Sequence, residues 1–172
     1  MKRLALCVAA LLVLAGCGQN DSPAPVTPAS PASTPSVTPT PAAEPTLDGD
    51  VATGLQAPRS AVPLSGDRAL ISERNTARIL LLANGTTKAI VNLPEVLPGG
   101  EGGLLGLAVQ SPDPDTVFAY YTSAVDNRVV AFDFDGSNLS NERPVFTGIP
   151  KGQIHNGGRI AFGPDGYLYV TT

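Results

Sequence analysis

The chain has 172 residues, 42% of them hydrophobic, and carries 11 Lys and Arg against 15 Asp and Glu for a net charge of -4. That is enough apolar material for a packed core, and no basic cluster lies beyond Lys2 and Arg3, which excludes a nucleic-acid surface as the working face. Two cysteines, Cys7 and Cys17, and the single histidine His155 are too few ligands for a zinc centre.

The first element is an export signal over residues 1–16: Lys2 and Arg3, an apolar run from Leu4 to Leu14, then the small residues of Leu14-Ala15-Gly16-Cys17. The apolar run is short for a bilayer span, which takes roughly 20 residues. Leu14-Ala15-Gly16-Cys17 resembles a lipoprotein lipobox, which implies cleavage before Cys17, acylation of its thiol and new amino group, and lipid anchoring of an exported protein on the periplasmic or extracellular face of a cell-envelope membrane. A plain secretory signal or a short membrane helix is the alternative. With Cys7 discarded and Cys17 acylated, the folded part has no disulfide and depends on its core.

Residues 17–46 form the second element, a tether. From Asp21 to Thr46 the chain is mostly Pro, Ala, Ser and Thr, a composition that buries nothing and extends in a polyproline-like form. A docking stretch or a glycosylated stalk is the rival reading.

From Leu47 to Thr172 short apolar runs alternate with turn residues, and no sustained helical period appears, so the third element is an all-β domain. The predicted strands are 69–72, 78–82, 87–91, 117–121, 129–132 and 168–170, with turns at Asn84-Gly85, Asp135-Gly136 and Pro164-Asp165-Gly166. A weak repeat runs through Ala61-Val62-Pro63-Leu64, Ala108-Val109-Gln110-Ser111 and Ile160-Ala161-Phe162-Gly163, each leading into a strand. Its interval of roughly 50 residues is that of a β-propeller blade. The stretch supplies two to three blades where closure needs at least about four, and open blades leave unpaired edges, so a longer chain is expected.

Chemistry centres on Gln153-Ile154-His155-Asn156-Gly157-Gly158-Arg159. An imidazole is the side chain suited to taking a proton near neutral pH, and the glycines let a flat ligand approach the backbone. The stretch Gly99-Gly100-Glu101-Gly102-Gly103-Leu104-Leu105-Gly106 fails as a phosphate loop, since no Lys-Ser/Thr pair follows and a strand comes next. It leaves Glu101 as one carboxylate on a pliant loop, either to hydrogen-bond a polyhydroxylated substrate or to solvate a turn. Asp133-Phe134-Asp135-Gly136 and Asp113-Pro114-Asp115 lack the ligand spacing of a calcium loop and read as turns. No Gly-x-Ser-x-Gly elbow is present.

Ile71-Ser72-Glu73-Arg74 with Arg78-Ile79, the Gly100 to Gly106 stretch, and His155-Asn156-Gly157-Gly158-Arg159 running into Gly163-Pro164-Asp165-Gly166-Tyr167-Leu168-Tyr169 together resemble the glucose/sorbosone dehydrogenase family of pyrroloquinoline quinone (PQQ)-dependent aldose dehydrogenases, from about Val51 to Thr172. The resemblance implies a six-bladed propeller holding PQQ and calcium over its central cavity. It implies His155 as the base that takes the anomeric proton while hydride passes to the quinone, Glu101 as a substrate contact, and an external electron acceptor. It also implies that most cofactor ligands lie past Thr172, so that this stretch alone binds PQQ poorly and no metal ligand is assigned within it. Ile154 stands where the soluble glucose enzyme has aspartate, which suggests another or a broader sugar range, and Ala77 where glycine is common. The alternatives are a non-catalytic propeller lipoprotein that binds a glycan or a protein, in which His155 is a structural residue bonded between blades, and an inactive truncated product.

Overall fold

The computed structural model describes residues 46–172, so the readings of the export signal, of Cys17 and of nearly all the tether lie outside the described residues. The described residues contain ten strands and no helix. Strands β1 (Pro58–Leu64), β2 (Arg68–Glu73), β3 (Arg78–Ala83) and β4 (Thr86–Asn92) form one antiparallel meander. A second contains β5 (Leu104–Ala108), β6 (Thr116–Thr122), β7 (Asn127–Phe134) and β8 (Leu139–Ile149), and β9 (Ile160–Phe162) pairs with β10 (Leu168–Val170). The first strands of the three sheets are neighbours, β1 beside β5 and β5 beside β9, as blades set around an axis require. Two complete blades and the first two strands of another are present, and the repeat read from the sequence falls on β1, on the end of β5 and on β9.

Period-two alternation explains how the middle blade packs on both sides. Along β6, Val117, Ala119 and Tyr121 join Leu70, Ile79 and Leu81 of the first blade in one core. The intervening Phe118 and Tyr120 pack instead with Leu105, Ile160 and Phe162 in a second core, where the Phe118 and Phe162 rings meet edge to face at 5.3 Å. A strand buried on both faces reads as an unbroken apolar run, which is why β6 and β7 were legible.

Strands β1, β8 and β9 lay outside the predicted set, and β1 and β8 show why. Strand β1 carries Pro58 and Pro63, and β8 is exposed along all but its two ends and contains Pro144 and three register shifts. Both are edge strands of their sheets, where proline, charge and bulges are tolerated. At the Asn84-Gly85 turn both residues have positive φ, 50° and 70°, as a tight hairpin demands.

The Ser72-Glu73-Arg74 motif is a structural staple. Ser72 Oγ donates to the Leu105 carbonyl at 2.6 Å, and the Arg74 carbonyl accepts from Leu104 N–H at 3.1 Å, which fixes β5 against the first blade. Glu73, fully buried, accepts from Gln56 N–H at 2.8 Å, from Thr76 Oγ1 at 2.6 Å and from Arg78 Nη2 at 2.6 Å. Ala77, the departure noted above, has φ 57°, a left-handed conformation that glycine enters more readily.

Burial alone would raise the pKa of Glu73, but its hydrogen bonds from Thr76, Gln56 and Arg78, with the Arg78 charge, outweigh this and hold it below its usual 4.5. Asp126 is likewise raised by burial and brought lower overall by Arg128, Ser123 and the Gly148 N–H. A carboxyl whose folded pKa is depressed stabilises fully above its unfolded pKa, and that contribution disappears as pH falls through the folded value. The melting temperature is therefore expected to hold from pH 7 to about 5 and then to fall steadily with acid. Thermal melts across that range check it, and the Glu73→Gln variant is expected to show a shallower acid slope.

Candidate functional site

Both predicted chemical residues lie on the face where the inner strands begin. Glu101 is in the loop ahead of β5 and His155 in the loop ahead of β9, and the fold brings the two loops together. The Glu101 N–H donates to the Gln153 carbonyl at 2.9 Å, and the His155 N–H donates to Glu101 Oε2 at 2.6 Å. This reciprocal clamp requires close backbone approach: a Cβ on Gly100, whose φ is 55°, would collide with the Gln153 carbonyl oxygen. Glycine at that position is a packing requirement between two loops.

His155 itself has φ 61°, in the left-handed region that histidine enters more often than most residues. Its side chain is exposed, and among the described residues no hydrogen bond holds the imidazole; what is bonded is its backbone. Glu101 is exposed too, with Oε2 engaged by the His155 N–H and its other oxygen open to a ligand.

Behind the histidine lies a residue that the sequence reading quoted without a role. Asn156 is 1% exposed. Its Oδ1 accepts from Asn127 Nδ2 at 3.1 Å and from Gly152 N–H at 3.0 Å, and its Nδ2 donates to the Gly152 carbonyl at 2.8 Å. The Asn156 carbonyl accepts from Tyr120 Oη at 2.8 Å. Asn127 is tied in turn to Thr122 Oγ1 at 2.7 Å and to the Pro150 carbonyl at 3.0 Å. Burial pushes the Tyr120 phenol up to about 12, so it remains a donor at any working pH. Nothing in the local pattern Asn-Gly-Gly marks this asparagine as buried, because such a run reads as an exposed turn.

A cavity of about 290 Å³ opens beside the clamp, lined by Arg59, Arg74, Glu101, Asn156 and Gly157. Arg59, from β1, and Arg74, from the β2–β3 turn, form no ion pair among the described residues. The sequence reading gave neither a role at the site, since two arginines 15 positions apart carry no local signal of a shared cavity. Ile154, 57% exposed, lies next to the histidine. Among the described residues no group of three or more His, Cys, Asp or Glu is placed to hold a metal ion, so no calcium site is assigned to them.

Comparison with known proteins converges. A family model described as Glucose / Sorbosone dehydrogenase matches residues 55–172. The quinoprotein glucose dehydrogenase B of Acinetobacter calcoaceticus is 26% identical over 59% of this chain and 25% of its own length. Among solved structures, the PQQ-bound aldose sugar dehydrogenase of Streptomyces coelicolor is 45% identical with a TM-score of 0.68, the match covering 73% of this chain and 40% of that one. An oxidoreductase of Thermus thermophilus, described as a glucose dehydrogenase, is 41% identical with a TM-score of 0.67, covering 72% and 39%. The chain thus spans 40% or less of the length of these relatives.

Proposed function

This chain belongs to the glucose/sorbosone dehydrogenase family, and on that premise we propose that it is the N-terminal part of a quinoprotein sugar dehydrogenase that oxidises the anomeric hydroxyl of an aldose to the lactone. The observation that carries the reading is the clamp that joins Glu101, a residue of the cavity lining, to the backbone of His155 while leaving the imidazole exposed. In this reading the imidazole nitrogen takes the anomeric hydroxyl proton, which promotes departure of hydride from the same carbon. PQQ, when bound, supplies the hydride acceptor. The guanidiniums of Arg59 and Arg74, without an ion pair among the described residues, fit the carboxylates of such a cofactor and would hold them, with residues of the longer protein completing the grip. The open oxygen of Glu101 would accept hydrogen bonds from sugar hydroxyls, and Ile154 would favour sugars that offer a less polar edge to the base.

The Leu14-Ala15-Gly16-Cys17 signal supports an exported, lipid-anchored protein, with Cys17 as the acylated residue and the proline-rich stretch as its tether. Calcium, and an external electron acceptor, belong to the same proposal through the family. The test uses the native protein recovered from its host membrane: PQQ is titrated in and followed by absorbance, then dye reduction is measured with a panel of aldoses and calcium. Saturable binding and aldose-dependent, quinone-dependent dye reduction are expected. An unchanged quinone spectrum together with glycan binding would replace the reading by that of a non-catalytic propeller.

A further inference from the structure

We infer that Tyr120 and Asn156 are the positioning residues of the base: they hold the His155 backbone in the one conformation that presents its imidazole to the site. The inference rests on the reading of His155 as the base. It starts from how the residue is held: among the described residues no hydrogen bond reaches the ring, and those that fix this stretch act on the backbone of His155 and of the next residue. That backbone is left-handed at φ 61°, and past Asn156 come two glycines with φ 62° and 93°, a set of conformations that a free loop does not keep.

Three restraints supply the order, and two of them come from behind. Glu101 fixes the His155 N–H from the solvent side at 2.6 Å. Tyr120 Oη fixes the next carbonyl, that of Asn156, from inside the core at 2.8 Å. The Asn156 side chain closes the loop on itself through both polar groups of Gly152 and anchors it to Asn127 at the start of β7. Because Tyr120 and Asn127 belong to the middle blade, the base is set by the rigid part of the fold although it sits on a loop. Reaction geometry is sensitive to displacements of about 1 Å, which can cost roughly 100-fold in rate.

The test compares Tyr120→Phe with Tyr121→Phe in the native protein. Tyr121 is equally buried, but its hydroxyl points to the other side of the sheet and donates to Glu142, with no contact to the His155 loop. In Tyr120→Phe, kcat is expected to drop about tenfold with KM for the aldose changed less than about twofold and PQQ affinity unchanged. Amide hydrogen exchange at residues 153–158 of the quinone-free protein should speed up about tenfold while β6 and β7 keep their protection. Tyr121→Phe should move neither quantity. Wild-type kcat and wild-type loop exchange in Tyr120→Phe, or equal losses in both variants, would overturn the positioning role. His155→Ala separates the two claims. If it is inactive while Tyr120→Phe turns over normally, only the positioning falls, whereas full activity of His155→Ala removes the base and the positioning role with it.

Discussion

His155→Ala is expected to lower kcat for aldose oxidation by at least about 100-fold, within the range for loss of a general base, while leaving the melting temperature within about 1 °C of wild type. The two halves of that result come from one observation. The imidazole is exposed and unbonded among the described residues, so its removal opens no core cavity and orphans no buried partner. The backbone N–H that Glu101 accepts survives the substitution. Stopped-flow reduction of the bound quinone by aldose, with melting curves on the same preparations, checks both halves. Turnover within about twofold of wild type would remove His155 from the reaction, and a large loss of stability would make it structural.

Glu73→Ala is expected to cost about 3 kcal/mol of stability, near the low end for breaking a buried ion pair, and to lower the melting temperature by roughly 10 °C. The Glu73 side chain is fully buried, while that of Arg78 is 36% exposed. Arg78 therefore recovers some hydration when its partner goes, which keeps the loss from the upper end of the range. The loss that remains is the carboxylate itself, whose Oε1 accepts from Gln56 N–H and whose Oε2 accepts from Thr76 Oγ1. Arg78→Ala should cost a comparable amount by the opposite route, leaving the buried carboxylate with hydrogen bonds but no counter-charge. Urea melts of the three proteins at pH 7 measure this. A Glu73→Ala loss under about 1 kcal/mol would mean that the staple contributes little and that the turn carrying Ala77 holds the first blade by itself.

How much was legible follows from which interactions are local. Apolar runs such as Val117 to Tyr121 announced strands of a doubly covered sheet, and Asn84-Gly85 announced its hairpin, because burial and turn conformation act on neighbouring residues. The edge strand Leu139–Ile149 was missed for the complementary reason: with little to bury, it keeps Asn141, Glu142, Arg143 and Pro144, and only pairing with β7 makes it a strand. The joint place of Arg59 and Arg74 was missed because the cavity they line is assembled from separate parts of the first blade and from the loops ahead of β5 and β9.

By itself, then, the amino-acid sequence determined the all-β class, the blade-length repeat and the family motifs, and it singled out Glu101 and His155 as candidates for the chemistry. Each is a matter of residue type and short-range spacing. Only the tertiary structure decided that Glu101 grips the backbone of His155, that Asn156 is a buried anchor, and that Tyr120 braces the loop from the middle blade. Those facts depend on contacts between residues 29 to 54 positions apart in the chain, where hydrogen-bond partners are chosen by how blades stack rather than by what stands next to what.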